Sequence, residues 1–264
     1  MNRRSLIRIS TIYKRRTKTE ELAGQLPAKT TVVKEVGLGP VQQTLYQQII
    51  DLVGNKVMDG LQAIQNLKAL SSHPGLINEA YINLPVDEVP KLRETLAIIA
   101  SIRQKGEKVL VFTEYLKMQE ILKKAIRNHF DSNPMIISGM TNRRQEVVDQ
   151  FNQRAGFDVM ILSPKAAGTG LTITSANHVI HYTRWWNPAV ENQATDRVYR
   201  IGQEKPVYVY YPIVTDQAGM TANGTVEEIV HRILMEKQEL ATNVIVSSKK
   251  VNIEEEILRS LQFH

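Results

Sequence analysis

Apolar residues recur along this chain with two different periods, and the change between them divides it into regions. In the first region Leu45, Ile49, Leu52 and Val53 share one helical face, and Leu61, Ile64, Leu67 and Leu70 form a second stripe that His73-Pro74-Gly75 stops. Residues 1 to about 90 therefore read as mostly helical, with Pro85 and Pro90 marking a joint. From Lys91 to about Val214 the signal alternates. Helical stripes at Leu92, Leu96, Ile99 and Ile102, at 116–130, and through Val147, Val148 and Phe151 are separated by short apolar runs at 109–113, 135–138, 159–163, 178–182 and 207–214. This alternation predicts an α/β fold, a mostly parallel sheet covered by helices on both faces, whose ligands sit at the carboxyl ends of the strands. From Thr225 the pattern returns to helix, with Thr225 as N-cap and Glu228 completing a capping box; Glu227 is assigned to the same cap. A final amphipathic segment spans 253–261, and no internal repeat or low-complexity tract appears.

Composition narrows the function classes. With 264 residues, of which 42% are hydrophobic, the chain can bury a sizeable core as one large domain or two small ones. It has no cysteine, which removes disulfides, thiolate zinc sites and cysteine nucleophiles. No apolar run approaches the roughly 18 residues of a membrane span, and the N-terminus lacks a signal-peptide core, so a cytoplasmic protein is expected. The six histidines show no metal-ligand spacing, and no metal site is expected. Seven Lys and Arg and no acid lie within residues 1–18, so that the rest of the chain nets −1 of the total +6. Such a cluster attracts phosphate backbones or is a solvated terminus, and composition leaves both open.

Three segments can carry chemistry. In Ser163-Pro-Lys-Ala-Ala-Gly-Thr-Gly-Leu-Thr172, Gly168 and Gly170 let backbone N–H groups approach an anion closely, or simply form a tight turn after a strand. No Gly-Lys-Ser/Thr ends the segment, so it is not a Walker A loop. In Gln193-Ala-Thr-Asp-Arg197-Val-Tyr-Arg200, the two arginines are three apart and are expected on one helical face. Adjacent guanidiniums repel, which suits a polyphosphate partner as well as a solvated pair, with Asp196 offsetting part of the charge. Both tryptophans fall in Thr183-Arg-Trp185-Trp186-Asn187-Pro188, where packing is the favoured role and stacking on nucleic acid the alternative.

In order and spacing these pieces resemble the C-terminal half of the Swi/Snf-like ATPases, helicase-type motors of superfamily 2 that translocate on duplex DNA. The segments carrying the resemblance include SHPGLI at 72–77, VLVFTEY at 109–115, SGMTNRRQEVVDQFN at 138–152, ILSPKAAGTGLTIT at 161–174, WWNPAVENQATDRVYRIGQ at 185–203 and GTVEEIVHRILMEKQEL at 224–240. The WWNPAVE and ATDRVYRIGQ forms are similar to compact bacterial members, and the Ile-Gly-Gln ending sets the chain apart from RNA-unwinding branches.

The resemblance implies a RecA-like lobe at 91–215, a helical linker at 1–90 and a C-terminal brace at 216–264. It implies that Arg197 and Arg200 are arginine fingers for ATP, with Gly168, Gly170, Gln193 and Asp196 near the nucleotide and Arg144, Ser163, Lys165, Thr169 and Trp186 near nucleic acid. ATP and magnesium would be held mainly by a first lobe, since this sequence has no GxGKT/S and no Asp-Glu-x-His box; the chain alone is expected to bind neither and to hydrolyse no ATP. Double-stranded DNA, the first lobe and proteins of a defence or transcription complex are the implied partners, with no membrane. A lobe that binds nucleic acid without catalysis is the alternative. The sequence departs from the usual pattern at Ala167, at Thr172 where Asn is common, and at Thr183 where Asp is common.

Overall fold

In the computed structural model, which describes residues 26–167 and 170–243 and positions 255 and 259, six parallel strands form one sheet. They are β1 (Lys29–Gly37), β2 (Lys108–Phe112), β3 (Met135–Ile137), β4 (Asp158–Leu162), β5 (His178–His181) and β6 (Val207–Thr215), in the order β1-β6-β5-β2-β4-β3. Helices connect them: α1 (Pro40–Gly54), α2 (Gly60–Ser72), α3 (Pro90–Gln104), α4 (Leu116–Phe130), α5 (Arg144–Gln153), the single turn α6 (Pro164–Ala167), α7 (Pro188–Thr195) and α8 (Val226–Asn243). The expected parallel, doubly covered sheet is therefore present. The basic cluster within residues 1–18 and most of the 253–261 segment lie outside the described residues.

The continuous apolar runs that predicted strands do so because both of their faces are covered. Every residue of β2 and β4 is buried, and the two strands pair in register with Val109 opposite Val159. Alternate residues then serve opposite layers. Val109, Val111, Val159, Ile161 and Ile180 pack beneath α3 and α4, while Leu110, Phe112, Met160, Leu162 and Val179 pack beneath α5, α7 and the loops beside them. A third cluster joins α1, α2 and α8 around Tyr46, Ile64, Leu67, Leu70, Ile229 and Ile233, at the end of β6 marked by Val214.

The N-terminal region corrects the expectation of a mostly helical segment. Lys29–Gly37 is a nine-residue strand that pairs with β6 along its full length, from Lys29 opposite Val207 to Gly37 opposite Thr215. Its β-branched residues Thr30, Thr31, Val32, Val33 and Val36 suit a strand, but as an edge strand it stays largely exposed, so no apolar run announces it. The helical stripes after it hold only in part. Ile49, Val53, Ile64, Leu67 and Leu70 are buried, whereas Leu52 and Leu61 face solvent.

Chain stops behave as the sequence suggests. Helix α2 ends at Ser72, and the His73 side chain accepts the Gly75 N–H at 3.0 Å. Gly75 is required there, because a Cβ would lie 2.7 Å from the Ile82 Cα. At α8 the capping box closes in both directions: Thr225 Oγ1 accepts the Glu228 N–H at 3.2 Å, and Glu228 Oε2 accepts the Thr225 N–H at 2.6 Å. Glu227 departs from its expected place in that cap. It turns inward, forms an ion pair with Lys91 at the start of α3, and accepts the Val214 N–H at 2.9 Å.

The Lys91–Glu227 pair is wholly enclosed, and the ammonium also lies 5.1 Å from the Tyr182 ring centroid. Burial alone pulls the Lys91 pKa down, and the neighbouring carboxylate opposes that pull. Removing one member strands the other in a dry interior, so Lys91→Met is expected to cost about 3–5 kcal/mol in urea unfolding. The double change Lys91→Met with Glu227→Gln, which keeps an acceptor for Val214, should recover most of that loss. A single-variant loss under about 1 kcal/mol would contradict the role of the pair.

Candidate functional site

The site is assembled at the end of β5. His178–His181 is buried throughout, and the chain leaves it through Tyr182, Thr183 and Arg184, each buried as well. Thr183 Oγ1 accepts the Glu114 N–H at 3.1 Å, joining the exits of β5 and β2. Arg184 is 1% exposed and holds Glu191 through both carboxylate oxygens, Nε to Oε1 and Nη2 to Oε2, each at 2.9 Å. Glu191 also accepts the Trp185 N–H at 2.7 Å. It lies in the first turn of α7, where a negative charge complements the helix dipole, and Asn187 caps the same turn by accepting the Ala189 N–H.

The other end of α7 is fixed by a second buried polar contact. His181 Nε2 and Thr195 Oγ1 lie 2.9 Å apart, and the imidazole is stacked between Phe112 and Tyr211, with centroids at 5.4 and 5.2 Å. Burial lowers the His181 pKa to about 4, so the ring is neutral near pH 7.

Arg197 and Arg200 do not project from one face of a helix, contrary to the sequence expectation. Helix α7 ends at Thr195, and the two arginines follow in a turn that the short helix cannot extend into. They nevertheless converge on one loop. Arg197 Nη1 points at the Leu171 carbonyl at 3.5 Å, and Arg200 Nη1 donates to Thr172 Oγ1 at 2.7 Å. Backbone pairing reinforces the junction, since Ile173 N donates to the Arg197 carbonyl at 3.1 Å. Gln203 completes it: its buried Nε2 donates to the Ala176 carbonyl at 2.7 Å and the Thr174 carbonyl at 3.1 Å.

The remaining predicted residues make mostly local contacts. Gly170, with φ at +79°, adopts the left-handed backbone that favours glycine and has open space where a Cβ would stand. Gln193 is exposed on α7, and Asp196 ends that helix by donating its N–H to the Asn192 carbonyl at 2.8 Å. Gly168 and Thr169 lie outside the described residues. Arg144, Ser163, Lys165 and Trp186 follow the carboxyl ends of β3, β4 and β5, as a parallel sheet requires. Arg144 turns back on its own loop, donating to the Thr141 and Gly139 carbonyls at 3.2 and 3.0 Å. Ser163 Oγ accepts the Ala166 N–H, and Lys165 Nζ lies 5.7 Å from the Trp185 ring centroid. Trp186 is half-buried against the α1–α2–α8 cluster and roofs Lys68 at 4.5 Å.

Arg184, Glu191, His181 and Gln203 were not singled out as site residues from the sequence. The spacing of Arg184 and Glu191 is compatible with an ion pair around a helix start, but nothing in a linear pattern shows that both are buried. A cavity of about 400 Å³ lies on the opposite face of the sheet, between α4 and residues 82–86, away from the arginines.

The helicase conserved C-terminal domain family matches residues 90–202. Zorya protein ZorD of Escherichia coli is 39% identical over 93% of this chain and 24% of its own length. YwqA of Bacillus subtilis, which carries the name of an ATP-dependent helicase/translocase, is 38% identical over 88% of this chain and 26% of its own length. The C-terminal domain of the Sulfolobus solfataricus SWI2/SNF2 ATPase superposes with a TM-score of 0.66 at 26% identity, covering 89% of this chain and 99% of that one. The chain carries the helicase conserved C-terminal domain over residues 90–202 and is similar to the Swi/Snf-like helicases. It corresponds to their C-terminal RecA-like lobe and spans about a quarter of the length of the curated relatives it matches. The Sulfolobus solfataricus SWI2/SNF2 ATPase core in complex with double-stranded DNA is 28% identical, with a TM-score of 0.69 over 94% of this chain and 53% of that chain. Among the described residues no helix of this lobe is long and apolar enough to cross a membrane.

The buried and half-buried imidazoles of the lobe give it a defined response to acid. Burial lowers the pKa values of His73, His181 and His231 from 6.5 to about 4, with the Arg184 charge assisting at His231. Unfolding raises them again, so the unfolded chain binds more protons between about pH 6.5 and 4, and stability must fall as pH falls through that window. Urea unfolding between pH 7 and 5 is expected to show uptake of more than one proton per chain. A stability independent of pH over this range would contradict the burial of these rings.

Proposed function

We propose that this chain is the C-terminal lobe of an ATP-dependent double-stranded-DNA translocase in which Arg197 and Arg200 act as arginine fingers. The observation that carries the reading is their joint anchorage to the 171–172 loop. The Arg200 guanidinium donates to the neutral Thr172 Oγ1 and, among the described residues, takes part in no ion pair, which leaves donors of a planar fork for an anion. Such a fork fits the charge of a triphosphate. ATP and magnesium would be held mainly by a first RecA-like lobe, where the bound nucleotide supplies the phosphoryl group to be transferred.

On this lobe, Arg197 and Arg200 would donate to oxygens that gain charge in the transition state, from positions fixed beforehand. Gly168, Gly170, Gln193 and Asp196 would lie near the nucleotide in this reading. Arg144, Ser163, Lys165, Thr169 and Trp186 would face the DNA backbone, and the C-terminal strand ends supply that edge. Closure and opening of the two lobes would then step the protein along DNA. Residues 91–215 form the lobe proper in this reading, with 1–90 and 216–264 as linker and brace, and β1 extends the lobe's sheet into the linker. The similarity to bacterial relatives, ZorD among them, supports a cytoplasmic role in phage defence or in displacing proteins from DNA, with partners in such a complex.

The test uses the protein in which this chain accompanies its first lobe. Arg197→Ala or Arg200→Ala is expected to lower DNA-stimulated kcat by on the order of 10³-fold, with ATP and DNA affinities changing far less. Arg→Lys should rescue little, because a point charge lacks the fork. Turnover within about twofold of the parent would contradict the proposal, since surface substitutions usually stay within about 0.5 kcal/mol. Parallel loss of DNA binding would make these arginines a nucleic-acid grip instead.

A further inference from the structure

Helix α8 touches the support of the arginine segment through His231. The Arg184 guanidinium donates Nε and Nη2 to Glu191 and lies face-on 4.2 Å from the Tyr211 ring centroid. Its remaining end, Nη1, meets His231 Nδ1. His231 is neutral near pH 7, because burial and the Arg184 charge lower its pKa to about 4, so its Nδ1 accepts a hydrogen bond from the guanidinium. Four elements therefore meet at one buried cation: the β5 exit through Arg184, α7 through Glu191, β6 through Tyr211 and α8 through His231.

We propose that His231 is a positioning residue, which closes the last open side of Arg184 and so lets α8 set the register of α7 and of the arginines behind it. This rests on the finger reading of Arg197 and Arg200. The physical reason is that a buried guanidinium end without an acceptor rotates or draws in water. Either movement disturbs the bidentate hold on Glu191. Helix α7 is only eight residues long and Arg200 lies five residues beyond its end, so a small tilt at Glu191 displaces the arginine heads. Transition-state donors tolerate little displacement, with about 1 Å being enough to cost on the order of 100-fold. Any force on α8 would reach the catalytic geometry by this route without contact with nucleotide.

His231→Leu removes the acceptor, and His231→Asn returns one at the position of Nδ1. In the two-lobe protein, His231→Leu is expected to lower DNA-stimulated kcat about tenfold while the ATP KM and DNA affinity stay within about twofold. His231→Asn should restore kcat to within about threefold of the parent, and Glu236→Ala, at an exposed position of the same helix, should change nothing. The chain alone offers an independent readout, because its two tryptophans are Trp185 and Trp186 and the Trp185 N–H is held by Glu191. Their emission should shift in His231→Leu and return in His231→Asn. Should the Leu variant fail to fold, His231→Gln, which moves the acceptor to the position of Nε2, carries the same comparison. A His231→Leu kcat within twofold of the parent, in a protein where Arg197→Ala is strongly impaired, overturns the inference. If Arg197→Ala proves harmless, the finger reading has failed instead, and the tryptophan emission still decides the role of His231: an unchanged spectrum overturns it and a shifted one supports it.

Discussion

A guanidinium at 1% exposure is the constraint on which this lobe's functional face depends. Arg184 cannot lose its charge, so its burial demands acceptors on every side, and the fold supplies them from separate elements. The demand is what makes the arrangement specific. Glu191 can satisfy Arg184 in both of its bonds only when the first turn of α7 sits in one orientation over β5 and β6. The helix that results is fixed again at its last residue by His181, and the chain that leaves it has little freedom before Arg197. Stability and function are linked at this point: the pair is weak evidence for net stabilisation, yet it leaves few alternative ways to pack α7.

The same logic recurs at lower stakes elsewhere. Lys91 and Glu227 bind the start of α3 to the start of α8, and Tyr182 ties β5 to α2 by donating to the Ser72 carbonyl at 2.7 Å. These buried polar contacts lie between layers whose apolar clusters would otherwise accept several relative positions. Apolar burial holds the layers together, and the polar contacts select their register. Loops 170–176 and 196–203 follow the same division, with Leu171, Ile173 and Val198 buried in the core while Gln203 and the backbone pair of Ile173 and Arg197 align one loop on the other.

Much of the architecture was legible in the sequence because it rests on period. The five apolar runs at 109–113, 135–138, 159–163, 178–182 and 207–214 all became strands, and helix α4 has the bounds its stripe suggested. Strand β1 escaped notice because an edge strand buries too little to show an apolar pattern. The pairing of Arg197 and Arg200 was visible as spacing, but their placement beyond a helix end was not, since the end is set by tertiary contacts rather than by a glycine or proline. Charged residues gave the least away. Arg184, Glu191, Lys91 and Glu227 look like surface residues in a linear sequence, and only the fold shows that each meets its partner in the interior. The hydroxyls of Thr172 and Thr183 likewise find partners that no linear pattern shows, Arg200 and the Glu114 N–H.

The central claim is that the arginine segment is organised by the lobe itself, before nucleotide or DNA arrives. Hydrogen–deuterium exchange on the chain alone tests it directly, read at the amides of Ile173, Val198, Tyr199 and Gln203, which donate to the carbonyls of Arg197, Thr195, Thr195 and Arg200. The account requires these amides to exchange at least about 100-fold more slowly than in an unstructured chain, in the absence of any ligand. Exchange of residues 196–203 at unstructured rates in the chain alone, with protection appearing only when nucleotide and the first lobe are added, would contradict it.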